Sequence, residues 1–560
     1  MTLPYEPAAR LADRLLQERV VTRVWERDVS VWRADPGSEA ARSIATRLGW
    51  LDVTDTMPPH ADRLSALARA ASSEQIETVY LLGMGGSSLC AEVIRAVHGS
   101  ARGFPDLIVL DTTDEQTLDA ASRRLNPSRS LFVVASKSGG TVEVASMERF
   151  FWARMSAALG AAAGRHFLAI TDPDTALQTL ASTRGYRETF INPADIGGRF
   201  SALSLFGLVP TALVGASFRD LLAAGSAMAE GCRQENHANA GLELGAFMGA
   251  AALAGRDKLT VILPPSLSTL GLWIEQLVAE STGKHGKGIL PIVDEPLGRP
   301  DDYGQDRAFV AFSTDRDAPD AEAVSALRQT DHPILQLTTR VDGLGSEFFR
   351  WEFATAVAGA AIGVNPFDEP NVAEAKAKTR ALLDAYLSTG HLPVGDPLAA
   401  DDTFEVFTRG FAGSDPAAVV DAALDSLQPG DYVAFLSYLP ASPAVTEAIN
   451  GVRVAIRARS RTATTLGTGP RYLHSTGQYH KGGPNAVLAF VLTAEDATRT
   501  DVSEAGYTFS VLKRAQALGD VQTLEAHGRR VVHLHLKQGE PEGAIPRLFA
   551  DALRKEGSSA

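Results

Sequence analysis

Short runs of apolar and β-branched residues alternate with longer segments of helical periodicity from about residue 75 onward. The first set of apolar runs is ETVYLLGMG, DLIVLDTT, SLFVVASKS and HFLAITD, and segments such as SSLCAEVIRAVHG and TVEVASMERFFWARM separate them. Each parallel crossover needs a connecting segment on a face of the sheet, so this alternation predicts a doubly wound parallel sheet. The predicted fold class is α/β.

Two further sets of the same kind follow. The second contains KLTVILPP, ILPIVD, RAFVAFST and ILQLTT, with the helical segments LGLWIEQLVAES and SEFFRWEFATAVAGAAIG. A linker rich in Gly, Pro and Asp near residues 389–402 precedes the third set, DYVAFLSYL, AVTEAINGVRVAIRA, TATTLGTG, AVLAFVLT and RRVVHLHLK. A chain of 560 residues is too long for one hydrophobic core. We therefore expect three α/β units, at residues 1–220 with a helical N-terminal arm, 221–390 and 400–560.

Composition and charge narrow the function classes. The 53 Lys and Arg against 67 Asp and Glu give a formal net charge of -14, which opposes non-specific attraction to nucleic acid or anionic lipid. No apolar run approaches the ~18 residues that a membrane-spanning helix needs. Cys90 and Cys232 have no metal-ligand spacing, and the first residues lack the apolar core of a secretory signal. We expect a soluble cytoplasmic protein that binds neither nucleic acid nor membranes.

Two strand-to-helix turns carry candidate anion-binding groups. The turns are GMGGSS, from Gly83 to Ser88, and SKSGGT, from Ser136 to Thr141. Glycine lets an anion approach backbone N–H groups, a helix N-terminus favours negative charge, and Lys137 adds an ammonium group. Parallel strands end at one edge of a sheet, so both turns can converge on one phosphate. A glycine-rich turn with a capping serine is also a common structural device, and this alternative stays open for each turn.

Three more segments carry groups suited to proton transfer. IGGRFS holds Arg199 on a loop constrained by two preceding glycines, ESTGKHGKG places Glu280 at the end of an apolar-faced helix, and NPFDEPNVAEAK ends on Lys376. An arginine stays charged and can stabilise an oxyanion, and a carboxylate can accept and return a proton. The structural alternatives are a surface arginine, a helix C-terminus complemented by basic residues and a solvated helix lysine.

Together these motifs resemble the phosphoglucose isomerase family, whose members have two doubly wound sugar-isomerase (SIS) domains. GMGGSS, SKSGGTVE, GGRFSALSLFGL, ESTGKHGKG and GVNPFDEPNVAEAK occur in the family's order between about residues 80 and 380. The resemblance implies two SIS domains followed by a C-terminal α/β unit. It also implies an aldose–ketose isomerase acting on a hexose 6-phosphate, with glucose 6-phosphate and fructose 6-phosphate as the pair. Ring opening and an enediolate would carry the reaction, without metal or other cofactor, in a homodimer.

The resemblance further implies roles for single residues. Arg199 would stabilise the enediolate, Glu280 would move the proton, and Lys376 would act at ring opening. The phosphate-binding residues would be Gly86, Ser87, Ser136, Lys137, Ser138 and Thr141. One position departs from the family's pattern, because Glu369 stands where glutamine is common. This carboxylate would lower the affinity for phosphate or turn away from it.

The family also uses a histidine to open the sugar ring, and no histidine between Glu280 and Lys376 matches it. His332 is nearest, but its setting, QTDHPILQL, does not align. LHSTGQYHKGGPN, about two hundred residues after the glutamate, resembles the family's His-Ser-x-Gly-Gln helix and offers His474 and His480. This arrangement is similar to the isomerase half of fused transaldolase–phosphoglucose isomerases. We expect one of these two histidines to enter the site from the third unit, the alternative for each being a histidine bonded within the core or exposed on a helix.

Other functions stand as alternatives. A non-catalytic sugar-phosphate-binding SIS protein would need the phosphate turns but not Arg199, Glu280 and Lys376 together. A bifunctional phosphoglucose/phosphomannose isomerase would also accept mannose 6-phosphate, because pocket residues decide the stereochemistry at C2. Aminotransfer to fructose 6-phosphate by a related synthase would need an N-terminal cysteine, and the chain begins Met1-Thr2.

Overall fold

The computed structural model describes residues 5–35, 37–496 and 498–553. They form three β-sheets joined by helices, and the predicted α/β class is confirmed. No helix in these ranges is long and apolar enough to cross a membrane.

The first sheet is parallel throughout, in the strand order β2-β1-β3-β4-β5. Its strands are β1 Thr78–Leu82, β2 Asp106–Leu110, β3 Ser130–Ala135, β4 Phe167–Thr171 and β5 Glu188–Ile191. The accompanying helices are α1 Glu6–Gln17, α2 Val20–Trp25, α3 Glu39–Ala45, α4 Val53–Thr56, α5 Ala61–Ser73, α6 Leu89–His98, α7 Glu115–Arg123, α8 Val142–Leu159, α9 Ala176–Thr183, α10 Leu205–Leu213 and α11 Phe218–Cys232. The strand order reverses between β1 and β3, where open α/β sheets place their ligands.

The second sheet is also parallel, in the order β7-β6-β8-β9. Its strands are β6 Lys258–Ile262, β7 Leu290–Ile292, β8 Arg307–Ser313 and β9 Ile334–Thr338. Its helices are α12 Ala240–Leu253, α13 Leu270–Thr282, α14 Ala321–Arg328, α15 Leu344–Ile362 and α16 Val372–Thr389. Helix α15 is buried around nearly its whole circumference because it packs against α11, α12 and α13.

The third sheet is mixed, in the order β10-β11-β15-β14-β12-β13. Its strands are β10 Ala399–Ala400, β11 Phe404–Phe407, β12 Tyr432–Ser437, β13 Ala463–Thr468, β14 Val487–Ala494 and β15 Arg530–Leu536. Its helices are α17 Pro416–Asp425, α18 Pro443–Ser460, α19 Gly477–Gly482, α20 Phe509–Ala526 and α21 Pro541–Leu553. Strands β12 to β15 are parallel to one another, whereas β11 runs antiparallel to both of its neighbours, β10 and β15. The predicted linker at 389–402 therefore contains a short edge strand, which two alanines could not reveal.

The third sheet and its helices pack against both other parts of the chain. Leu290 and Ile292 of β7 share a hydrophobic cluster with Tyr432 of β12. Phe150 of α8 meets Phe509 of α20 edge to face, with ring centroids 5.5 Å apart. The division at residues 220, 390 and 400 remains a proposal, since α11 continues across residue 220 and β10 spans residue 400.

Candidate functional site

A cavity of about 470 Å³ lies at the carboxyl edge of the first sheet. The turns after β1 and β3 form one wall, and segments after β4 and β5 form another. Helices α13 and α16 and the segment before α19 complete it. Parts of all three predicted units therefore meet around one volume.

This cavity collects nine of the eleven predicted site residues: Gly86, Ser87, Lys137, Ser138, Thr141, Arg199, Glu280, Lys376 and His474. Ser136 lies directly behind the wall, where its hydroxyl is 3.1 Å from that of Thr141. His480 lies outside the lining, buried in the third unit.

The turn after β3 carries one cation of the site, Lys137. Lys137 contacts the carboxylate of Asp172, and its Nζ donates to the carbonyl of Ala194 at 3.0 Å. Burial raises the pKa of Asp172, although its hydrogen bond with Lys137 opposes this shift. Helix α8 begins at Val142, so its N-terminus adds positive potential beside Thr141. Together these groups suit a dianion.

Steric demands explain two glycines of the turn after β1. Gly85 has a φ of +56°, and a Cβ atom there would lie 2.7 Å from Nε2 of Gln276 and 2.8 Å from the carbonyl oxygen of His474. A Cβ on Gly86 would lie 2.0 Å from the carbonyl oxygen of Gly198. The glycines therefore permit both the turn and the close approach of three other segments.

Arg199 and Glu280 form the charged centre of the cavity. Nη1 of Arg199 is 3.0 Å from Oε1 of Glu280 and 3.0 Å from Oε2 of Glu369. Nε of Arg199 donates to the hydroxyl of Ser281 at 3.1 Å, and Nη2 donates to the carbonyl of Asp368 at 3.0 Å. These contacts hold a buried guanidinium group in one orientation between two carboxylates.

The two carboxylates of this centre differ in their proton affinity. Burial raises the pKa of Glu280, Arg199 opposes the shift, and the charge of Glu369 adds to it. For Glu369, burial is outweighed by the charges of Arg199 and Arg47, and its pKa is lowered. Glu280 is thus the carboxylate better suited to gain and lose a proton.

The segment that carries His474 is fixed at three points. Arg471 makes two bonds of 2.8 Å to the carboxylate of Asp111, at the end of β2. Gln276 donates to the carbonyl of His474 at 2.7 Å, and Nε2 of His474 lies 2.8 Å from Oε1 of Glu143. The imidazole therefore stands at the cavity with one nitrogen already engaged.

The other two candidate histidines lie elsewhere. Nδ1 of His480 lies 2.8 Å from the hydroxyl of Tyr432, and burial lowers the pKa of His480 to about 3. His332 lines a separate cavity with Tyr5 and Arg328, and its ring packs against Phe309. Among these three histidines, only His474 reaches the cavity that holds Glu280.

Several residues of the site were not predicted from the sequence: Thr46, Arg47, Glu143, Asp172 and Gln276. Arg47 comes from the helical N-terminal arm, far from every motif. Gln276 lies one helical turn before Glu280 on α13, and this i, i+4 spacing was a usable signal. Glu143 comes two residues after the SKSGGT turn, but its partner His474 is too distant in sequence to suggest the pair.

Hydroxyl and ammonium groups at a sheet switch point, joined to a buried carboxylate–guanidinium pair and a histidine, are the groups that a sugar-phosphate isomerase needs. The phosphoglucose isomerase family model matches residues 51–291. Glucose-6-phosphate isomerase of Acetivibrio thermocellus is 31% identical over 398 residues, which cover 60% of this chain and 87% of that protein. The enzyme of Parabacteroides distasonis is 29% identical over 405 residues, with coverage of 60% and 87%. The chain belongs to the phosphoglucose isomerase family, which confirms the resemblance to that family. The similarity to fused transaldolase–phosphoglucose isomerases stays a prediction.

Solved structures agree with this fold. A glucose-6-phosphate isomerase from Chlamydia trachomatis superposes with a TM-score of 0.51 at 22% identity, over 66% of this chain and 78% of the other. A hypothetical protein from Thermus thermophilus superposes with a TM-score of 0.57 at 23% identity, over 66% and 95%. At these identities the likeness concerns the fold alone.

Proposed function

We propose that this protein interconverts glucose 6-phosphate and fructose 6-phosphate. The observation that carries the proposal is the contact between Arg199 and Glu280, whose Nη1 and Oε1 atoms are 3.0 Å apart in the cavity that also holds the Lys137 turn. The relatives named above as glucose-6-phosphate isomerases support the same pair of hexose phosphates.

The phosphate of the sugar would bind at the turns after β1 and β3. Hydroxyls of Ser87, Ser138 and Thr141 and the ammonium of Lys137 offer donors there, and Ser136 orients Thr141. Lys137 would exchange part of its contact with Asp172 for the phosphate. Charge-assisted hydrogen bonds of this kind fix the position of the sugar chain as well as its affinity.

The remaining groups would carry the chemistry. His474, with Lys376 nearby, would move a proton between O1 and the ring oxygen to open the ring. Glu280 would then take the proton from C2 and return it to C1, while the hydroxyl proton of O2 passes to O1. Arg199 would stabilise the negative oxygen of the enediolate between these steps. Glu280 ends the cycle ionised, so no net proton is gained or lost.

The alternatives are less favoured. A binding protein that only senses sugar phosphates has no need of a buried base paired with a guanidinium group, yet both lie at the cavity. Within the described residues, no specific contact favours mannose 6-phosphate as a second substrate. Whether the protein also accepts mannose 6-phosphate is therefore decided by the assay below.

A coupled assay tests the proposal. Fructose 6-phosphate is supplied, and formation of glucose 6-phosphate is followed through a dehydrogenase that reduces NADP. Mannose 6-phosphate and glucosamine 6-phosphate serve as comparison substrates. Turnover of fructose 6-phosphate is expected, and its absence with folded protein would overturn the proposal.

The assembly and compartment are also proposals. A homodimer rests on the family resemblance, and sedimentation analysis at micromolar concentration tests it through the mass of the particle. Cys90 and Cys232 are buried and unpaired, and burial raises the pKa of each thiol to about 12. Unpaired cysteines support a reducing compartment such as the cytoplasm.

A further inference from the structure

Gln516, on helix α20, does not line the cavity but hydrogen-bonds to Glu143, the partner of His474. It is buried, and its Nε2 donates to Oε1 of Glu143 at 2.7 Å. Its own Oε1 accepts a bond of 2.9 Å from the hydroxyl of Thr113. Glu143 in turn faces His474, so a chain of four side chains leads from Thr113 to the imidazole.

The charge state of Glu143 fixes the direction of these bonds. Burial alone would raise the pKa of Glu143, but the charge of His474, its hydrogen bond and the charge of Lys376 outweigh burial and lower the pKa. An ionised carboxylate only accepts hydrogen bonds, so both Gln516 and His474 must present N–H groups to it. With its amide nitrogen bound to Glu143, Gln516 presents its amide oxygen to Thr113, and the Thr113 hydroxyl donates to that oxygen.

We propose that Gln516 is a positioning residue for ring opening. Its amide holds the Glu143 carboxylate so that Oε1 receives the Nε2 proton of His474, which leaves Nδ1 as the nitrogen presented to the sugar. This inference rests on the proposed role of His474. Gln516 itself touches neither the substrate nor the reacting atoms, and it acts through Glu143.

The placement of Gln516 follows from the other attachments of α20. Lys513 contacts Asp114 at 3.0 Å, and Asp520 accepts a bond of 2.6 Å from the hydroxyl of Tyr472. Positions 513, 516 and 520 share one face of the helix. The first attachment fixes the backbone next to Thr113, and the second fixes the segment next to His474. The amide of Gln516 lies between these two points.

The test compares Gln516→Leu with His474→Ala on two kinds of substrate. One is the cyclic hexose phosphate, and the other is a four-carbon aldose phosphate that does not need ring opening. For Gln516→Leu, we expect kcat on the cyclic substrate to fall about 10- to 100-fold, the range for losing a hydrogen bond to a charged group. The open-chain substrate should change little. Gln522→Leu, six residues further along α20, serves as the control, and its kcat should match that of the wild type on both substrates.

A second variant, Gln516→Glu, keeps the test valid if thermal melts show that Gln516→Leu is poorly folded. In Gln516→Glu the new carboxyl and Glu143 would share one proton, beside His474, Lys376 and Tyr438. At low pH the protonated carboxyl can still donate, and at higher pH two like charges face each other. Activity on the cyclic substrate, relative to the wild type at the same pH, should therefore fall as pH rises.

The outcomes separate the two proposals. An active wild type, a selective defect in His474→Ala and none in Gln516→Leu would overturn the positioning role and leave the proposed function intact. A flat relative pH profile for Gln516→Glu would also overturn it. No turnover of the hexose phosphate by the wild type would instead overturn the proposed function.

Discussion

Nε2 of His474 lies 2.8 Å from Oε1 of Glu143, although the two residues are 331 positions apart in the chain. Glu143 opens the helix after the predicted phosphate turn, and His474 belongs to the third sheet's part of the chain. A contact of this kind between two side chains exists only when that part is docked. The cavity therefore depends on the C-terminal part of the chain for one of its lining side chains.

Replacing His474 by alanine should lower kcat on the cyclic hexose phosphate about 10²- to 10⁴-fold, because general acid–base catalysis of ring opening is lost. An open-chain aldose phosphate should be affected much less. His480→Ala should instead lower the melting temperature, since it removes a buried bond of 2.8 Å to Tyr432. Equal effects of His332→Ala and His474→Ala would contradict the assignment.

Glu280→Gln keeps the shape of the side chain and removes the base. Turnover should fall about 10²- to 10⁴-fold or more, while substrate binding is largely kept. Glu275→Gln is a matched control on the same helix. Burial raises the pKa of Glu275 to about 8, so the group is mainly protonated at neutral pH and an amide replaces it closely. Steady-state kinetics of both variants test this role. Near-normal turnover in Glu280→Gln would exclude Glu280 as the base.

Lys137→Ala should raise KM for the phosphorylated sugar about tenfold or more, because a charge-assisted contact is lost. Competition by inorganic phosphate should weaken in parallel. Asp172→Asn is the opposing variant, since it releases Lys137 from its carboxylate partner and should strengthen phosphate inhibition. Inhibition constants for phosphate that stay the same in both variants would place the phosphate elsewhere.

Glu369→Gln should lower KM for the hexose phosphate about three- to tenfold, the change expected when one partly screened unit charge is removed. The carboxylate lines the cavity and pairs with Arg199 at 3.0 Å, so it opposes the binding of a dianion. Asp368→Asn is the neighbouring control, because that side chain pairs with Lys284 at 2.7 Å. A higher KM for Glu369→Gln would show that the carboxylate assists binding.

Gly85→Ala should destabilise the protein by about 2–5 kcal/mol, from a left-handed backbone and overpacking. The new methyl group would meet Gln276 and the carbonyl of His474 within 3 Å. Gly451→Ala on α18 has no heavy atom within 4 Å of the added carbon and should be neutral or slightly stabilising. Denaturant unfolding curves measure both, and equal stabilities would contradict the close approach.

The groups that lie within one motif were predictable from the sequence, because strand, turn and helix signals place them together. Lys137 and Thr141 follow one strand, Arg199 follows a pair of glycines, and Glu280 lies near the end of an apolar-faced helix. Their meeting at one sheet edge follows from the topology of parallel strands. The sequence could not choose between His474 and His480, because both occur in one short segment and only burial separates them.

Contacts between segments far apart in the sequence could not be predicted from local sequence patterns. The pairing of Arg471 with Asp111 depends on how the third sheet docks, and neither residue has a local signal for it. The same holds for Arg47, which the N-terminal arm brings to the cavity. Strand β11 was missed because its four residues, Phe404–Phe407, are too few to show an alternating pattern.

The location of His474 also matters during protein synthesis. More than four-fifths of the 560 residues must leave the ribosome before this imidazole can fold against Glu143. A nascent chain that already displays the phosphate turns and Glu280 would therefore lack the group proposed to open the ring.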